Sequence, residues 1–112
     1  MNSHILNKYG VTFREDANGH KLPDGESVLC SYLYIWRALE DINEFISDVD
    51  KCLQGHASLV EDLSYSDSHF GIYGELSNES LELHDEHRTY LLYIPLADFK
   101  ELLLSWKEFL SK

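Results

Sequence analysis

Histidines and carboxylates, the side chains that commonly bind zinc and related metals, cluster in the second half of the chain. His84-Asp85-Glu86-His87 follows a run of alternating apolar residues, and His69 precedes it on a neighbouring predicted strand. The three imidazoles of His69, His84 and His87 would suit a metal ion if the strands brought them together. The four-residue run also has the composition of an exposed turn, and no second group of ligands completes a site. We favour the turn and predict no metal and no other cofactor.

Motifs of the common enzyme mechanisms are missing from the sequence. There is no Gly-x-Ser-x-Gly nucleophile elbow, and Gly71 and Gly74 lie in a strand-like pattern rather than in a phosphate-binding turn. Neither cysteine has a nearby histidine in the pattern that would activate its thiol. Adjacent carboxylates such as Glu61 and Asp62 can support acid–base catalysis, but a chain with 20 acidic residues contains such pairs by composition alone. We therefore expect a binding protein and no enzyme.

Acidic residues are concentrated in one segment of the chain. The net charge is −11, and residues 40–86 hold 13 acidic residues with Lys51 as their single basic residue. This segment therefore carries −12 and the rest of the chain +1. Such an excess repels nucleic acid and anionic lipid and attracts basic surfaces. We predict a basic protein partner and no nucleic-acid or membrane partner; a solvated surface that only aids solubility is the alternative.

The acidic segment also supplies the residues that we predict to contact a partner. Three acids lie on the polar face of a predicted helix, and two tyrosines lie among the acids that follow it. Tyrosine is favoured at binding hot spots, although a tyrosine packed against a helix and a solvated acidic face are the alternatives. The candidate partner-binding residues are Asp41, Glu44, Asp48, Glu61, Asp62, Tyr65, Asp67, Tyr73 and Glu75.

A long amphipathic helix is the strongest structural signal. Apolar residues recur at spacings of four and three over residues 28–53, namely Val28, Tyr32, Ile35, Leu39, Ile42, Ile46, Val49 and Leu53. Ser27 suits an N-cap and Gly55 a C-terminal stop. The same spacing would also seat a coiled-coil homodimer, but we favour packing within the chain. In one continuous helix Cys30 and Cys52 would lie about 33 Å apart, so we expect reduced thiols.

Alternating apolar residues predict the strands around this helix. We expect strands at 5–13, 69–76, 80–84 and 89–94, with the last three as an antiparallel meander and 89–94 at its centre. Residues 14–25 read as a loop or short hairpin, and 58–65 as an additional strand. A second amphipathic helix follows Pro95, with Phe99, Leu103, Trp106 and Leu110 on its apolar face. The predicted fold is α+β, an antiparallel sheet of three to five strands with both helices packed on one face.

The length and hydropathy of the chain limit the number of domains and the cellular locations to be considered. A chain of 112 residues has room for one domain, which we place at 1–112. No apolar run is long enough to span a membrane. The first eight residues lack the basic and apolar regions of a secretory signal. We therefore expect a cytoplasmic protein.

The C-terminal residues 90–110, YLLYIPLADFKELLLSWKEFL, combine an apolar strand, a proline and a tryptophan-bearing helix. This stretch resembles the ends of bacterial immunity proteins from polymorphic and contact-dependent growth inhibition toxin systems. The resemblance implies an acidic cytoplasmic inhibitor that neutralises a cognate toxin, often a nuclease with a basic cleft, and it implies no catalytic residues. A structural or adaptor protein that acts by oligomerisation is the alternative function.

Overall fold

The computed structural model describes residues 2–112, which fold into helices packed against antiparallel strands. This confirms the predicted α+β class. Within the described residues the helices and strands run along the chain as α1 (Ser3–Lys8), β1 (Thr12–Glu15), β2 (Lys21–Asp24), α2 (Val28–Ile35), α3 (Leu39–Leu53), β3 (Tyr73–Leu76), β4 (Ser80–His84), β5 (Tyr90–Pro95) and α4 (Leu96–Leu110). None of these helices is long and apolar enough to cross a membrane.

Strands β3, β4 and β5 form the predicted meander, in the order β3-β4-β5. Leu81 and Leu83 of the central strand β4 are fully buried, as their alternation predicts. Helix α4 lies against β4 and β5 and contributes buried Phe99 and Trp106 to the same core. The prediction that the last strand is central is wrong, because β5 stands at the edge of the sheet. Its apolar composition reflects exposed side chains rather than burial on two faces.

The predicted helix over 27–53 is interrupted, so that α2 ends at Ile35 and α3 begins at Leu39. At the interruption the Trp36 carbonyl accepts a hydrogen bond from the Trp106 indole N–H at 2.7 Å, and the Arg37 guanidinium donates to the Lys21 carbonyl at 2.7 Å. The Trp106 bond satisfies a backbone carbonyl that no longer has a partner within a helix, and the Arg37 bond ties the interruption to β2. The apolar spacing conceals the break because both helices bury their stripes in one core.

Both ends of this helical pair agree with the sequence. The Ser27 side chain accepts the N–H of Leu29 at 3.2 Å, as an N-cap does. Gly55 follows α3 with a φ of +80°, a conformation that suits glycine at a helix C-terminus. Tyr32, Ile42 and Val49 are fully buried, so the stripe packs within the chain as favoured. A coiled coil through this stripe would require the core to open.

The two cysteines lie on different helices, so a distance measured along one helix does not apply to them. Cys30 belongs to α2 and Cys52 to α3, and both are buried free thiols. Burial raises the pKa of each thiol above its ordinary value. The thiol form therefore dominates at neutral pH, and both side chains act as small core residues.

The first residues form a helix, and the predicted strand over 5–13 is wrong for most of its length. Helix α1 is capped by Asn2, whose side-chain oxygen accepts the Ile5 N–H at 3.2 Å. Ile5 and Leu6 are neighbours and both are buried, which a strand covered on one face does not allow. The predicted hairpin follows, with β1 paired antiparallel to β2 across a turn at residues 16–20.

Residues 57–72 adopt less regular structure than the predicted strands at 58–65 and 69–76. Ala57–Leu59 form a single 3₁₀ turn, and the chain then runs antiparallel to β3 through isolated bridges, Ser64 to Glu75 and Asp67 to Ile72. Phe70 lies in the turn before β3 and is exposed, so it does not share a buried face with Ile72. This extended segment borders the site described next.

Candidate functional site

A groove of about 690 Å³ lies between helix α3 and residues 59–66. One wall is the polar face of α3, where Asp41, Glu44, Asp48 and Lys51 follow one another at helical spacings of three and four. The opposite wall carries Glu61 and Asp62 with the serines that follow them. The amphipathic period of α3 fixes this wall, because the same helix buries Ile42, Phe45 and Val49 on its other side.

The floor of the groove is aromatic. The ring of Tyr65 stacks on Phe45 with 3.8 Å between centroids and 14° between planes, and Trp36 meets it edge-on at 5.6 Å. The Tyr65 backbone is held equally firmly, since its carbonyl accepts the Tyr32 hydroxyl at 2.6 Å and its N–H donates to the Gly74 carbonyl at 2.8 Å. The groove is therefore preformed by the core and by β3.

Tyr65 and Asp48 form the hydrogen bond that joins the floor to the helix wall. The Tyr65 hydroxyl donates to one carboxylate oxygen of Asp48, and the Lys51 amine lies 3.7 Å from the other oxygen. Burial raises the pKa of Tyr65 far above its ordinary value, and the hydrogen bond to Asp48 and the nearby charges of Asp48, Glu44 and Asp62 raise it further. The hydroxyl is therefore a permanent donor, and the Asp48 side chain is held with only 13% of its surface exposed.

The remaining acids around the groove are exposed and make no ion pair with the residues that the structure describes. Five carboxylates and one lysine line the groove, which gives it a net charge of −4. Within residues 2–112, no lysine, arginine or histidine forms an ion pair with Asp41, Glu44, Glu61 or Asp62. A concave surface of one charge sign concentrates the electrostatic potential. This arrangement suits a cationic group, and its aromatic floor suits a cation that carries apolar surface.

The structure brings together six of the nine residues predicted to contact a partner: Asp41, Glu44, Asp48, Glu61, Asp62 and Tyr65 all line the groove. Tyr73 and Glu75 lie on the outer face of the sheet and line a neighbouring hollow of about 330 Å³ that shares Ser64 and Ser66 with the groove. Asp67 is outside both. Its carboxylate accepts the Phe70 N–H at 3.1 Å, and its backbone bridges to Ile72, so it shapes the turn.

Three groove residues were not among the predicted ones. The helix break leaves the Trp36 ring half-buried on the groove floor. Leu59 stands at the rim with 65% of its surface exposed. Lys51 was noted as the single basic residue of the acidic segment. A lone lysine among acids was an available signal for Lys51; nothing in the spacing revealed Leu59 or Trp36.

The histidines considered for metal binding each lie beside a different neighbouring side chain. Throughout residues 2–112, no three histidine, cysteine, aspartate or glutamate side chains are arranged to hold a metal ion. His84 lies 3.6 Å from Glu82, His87 lies 3.6 Å from its neighbour Glu86, and His69 packs edge-on against Phe70. The turn at residues 85–88 is closed by Asp85, whose carboxylate accepts the N–H groups of His87 and Thr89 at 2.9 Å.

The groove thus offers fixed negative charge, an aromatic floor and an exposed leucine at its rim, which together suit a cationic group that carries apolar surface. Comparison of the chain with protein-family models, with curated protein sequences and with solved structures found no match. The chemistry of the groove is therefore the basis for the functional conclusion.

Proposed function

We propose that this protein is an immunity protein that binds and neutralises a cognate basic toxin in the cytoplasm, without catalysis of its own. The observation that carries the proposal is the set of four exposed acids around the aromatic floor of the groove, none of which forms an ion pair within residues 2–112. Their mutual repulsion is relieved when a cationic surface enters, so binding is favoured over solvation alone. The resemblance of residues 90–110 to immunity proteins supports the same class.

The electrostatics of the groove favour a nuclease as the target. An enzyme that acts on nucleic acid presents a basic surface to the phosphate backbone. An inhibitor with the opposite charge matches that surface and is steered toward it, with association rates up to about 10⁸–10⁹ M⁻¹s⁻¹ at low salt. Exposed charges mainly raise the association rate, so lasting affinity requires apolar contacts as well.

The apolar contacts of the complex would come from the floor and the rim. Trp36 and Tyr65 present aromatic surface on which an arginine or lysine of the toxin can lie. Leu59 at the rim offers an exposed aliphatic side chain for a buried contact. Because Tyr65 is already fixed by Phe45 and Asp48, little side-chain entropy is lost when the toxin binds.

The decisive experiment is a growth-rescue assay with the basic proteins encoded beside the gene. Each is expressed in bacteria with the wild-type chain, with a groove variant carrying Glu61→Gln and Asp62→Asn, or with a control variant carrying Glu15→Gln and Glu26→Gln. Both variants lose two charges, but Glu15 and Glu26 are exposed residues outside the groove. We expect one neighbour to arrest growth, the wild type and the control to restore it, and the groove variant to restore it poorly.

The assay separates failure of the function from failure of the site. If no neighbouring basic protein is toxic, or if the chain relieves no toxicity, the immunity function is wrong. If both variants rescue growth equally well, the immunity function holds but the groove is not the binding site. Association rates at 50 mM and 300 mM salt provide a second measurement, because the advantage of the wild type over the groove variant must shrink as salt screens the charges.

A further inference from the structure

Strand β5 presents an open, apolar edge. It pairs with β4 on one side, and within residues 2–112 no other strand covers its second side. Tyr90, Leu91 and Tyr93 are 58%, 38% and 44% exposed, and residues 90–95 contain no charged side chain. Natural edge strands are usually protected by charges, bulges or prolines. Here a bulge beside His84 and Pro95 protect only the two ends of the strand.

The free backbone groups of this edge are centred on Tyr93. Hydrogen-bonded and non-hydrogen-bonded pairs alternate along antiparallel strands. The Leu96 N–H donates to the Glu79 carbonyl at 3.3 Å, and Pro95, which has no N–H, stands opposite Ser80 in the next pair. Continuing the alternation makes Tyr93, opposite Glu82, another non-hydrogen-bonded position. Its N–H and carbonyl therefore point away from β4 and toward solvent.

The side chains beside this open edge carry unbalanced negative charge. Glu82 stands opposite Tyr93 on one side and opposite Glu75 on the other, so two carboxylates face each other across neighbouring strands. Like charges in directly opposite positions destabilise a sheet. Among the described residues, neither carboxylate pairs with a lysine or an arginine, and His84 lies 3.6 Å from Glu82. A cationic side chain that arrived next to Tyr93 would lie over its ring and extend toward Glu82.

We propose that the β5 edge is a docking site for an extended segment of a basic protein, which adds to the sheet as a strand beside Tyr93. Its backbone would complete the hydrogen bonds of the edge, and its alternate side chains would place lysine or arginine along the Tyr93–Glu82 row. A second copy of this chain is a poor occupant, because each copy carries −11 and would bring its own acidic row to the same junction. The inference goes beyond the proposed function, since the groove borders the opposite, β3 end of the sheet.

The experiment uses a short peptide in which lysine alternates with valine, added to the full-length protein labelled with ¹⁵N. We expect the peptide to slow hydrogen exchange at the Tyr93 amide. A second peptide has the same sequence with N-methyl groups on alternate residues, so that it keeps its charge and loses backbone pairing along one edge. Loss of even one or two hydrogen bonds is expected to weaken its binding about tenfold or more.

Two protein variants test the same edge. Tyr93→Pro removes the outward N–H without removing a bond to β4, as Pro95 already does two residues later, and Tyr93→Thr keeps the N–H. We expect the proline variant to bind the unmodified peptide at least tenfold more weakly than the threonine variant. The proposal is overturned if the N-methylated peptide binds as well as its parent, if exchange slows in α3 and residues 63–66 instead of β5, or if sedimentation shows a homodimer that already protects Tyr93.

Discussion

The hydrogen bond from Tyr65 to Asp48 joins the groove floor to α3, and the variant Tyr65→Phe removes that bond alone. The phenylalanine ring keeps the stack on Phe45, so no cavity larger than a hydroxyl group forms. Asp48 loses the donor and, with 13% of its side chain exposed, recovers only part of its hydration. Lys51 stays 3.7 Å away and compensates for part of the loss.

The expected cost follows from these contacts. A hydrogen bond to a charged group contributes about 1.5–3 kcal/mol to stability, and the remaining lysine places Tyr65→Phe in the middle of that range, at about 2 kcal/mol. With an m-value of about 1.5 kcal/mol per molar urea, the unfolding midpoint should fall by about 1.3 M. In an Asp48→Asn background the same substitution should cost only about 1 kcal/mol, because a neutral acceptor makes a weaker bond.

Urea unfolding followed by far-ultraviolet circular dichroism measures these differences, with Tyr73→Phe as the matched control. Tyr73 is half-buried on the outer sheet face, and its hydroxyl makes no hydrogen bond to the described residues. The control should shift the midpoint by less than about 0.3 M. A Tyr65→Phe shift no larger than the control's would refute the bond to Asp48, and equal costs in the two backgrounds would refute its charge-assisted character.

Two further predictions concern stability. Gly74→Ala should destabilise the protein by about 2–3 kcal/mol, because the new methyl group would meet the Tyr32 hydroxyl and lie 2.7 Å from the Tyr65 carbonyl. Gly71→Ala is strained by a φ of +69° but has open space around it, and should cost about 1 kcal/mol. An equal loss of stability in both variants would contradict a steric clash at Gly74. Burial and the hydrogen bond to Asp98 raise the pKa of Tyr9 to about 12. The unfolded chain therefore loses this proton from about pH 10 while the folded chain keeps it. The free energy of unfolding should consequently fall between pH 10 and 12. Between pH 9 and pH 11 the urea midpoint of the Tyr9→Phe variant should fall less steeply than that of the wild type. An equal slope in both proteins would refute the role of Tyr9.

The elements that the sequence predicts correctly are those whose pattern is decided locally. Leu81 and Leu83 alternate on β4 and are buried, and α4 follows Pro95 with its apolar stripe against the sheet. At the break between α2 and α3, the Trp36 carbonyl accepts a hydrogen bond from the Trp106 indole, 70 positions along the chain. Sequence periodicity contains no information about such a distant donor.

The acidic walls of the groove could be predicted from the sequence, whereas its aromatic floor could not. Helical spacing places Asp41, Glu44 and Asp48 on one face whatever the tertiary structure. That Glu61 and Asp62 stand opposite depends on the irregular segment beside β3, which has weak strand and helix signals. Tyr65 was selected as an exposed contact, but stacking on Phe45 leaves it half-buried, closer to the packed alternative.

The different burial of the two tryptophans gives the protein a built-in optical reporter. The chain contains two tryptophans, of which Trp106 is fully buried in the core while Trp36 forms part of the groove floor. A solute that quenches fluorescence by collision should therefore reach the Trp36 ring and leave Trp106 emitting. Any protein that fills the groove would shield Trp36, so the quenchable fraction of the emission reads out occupancy of the groove without a label.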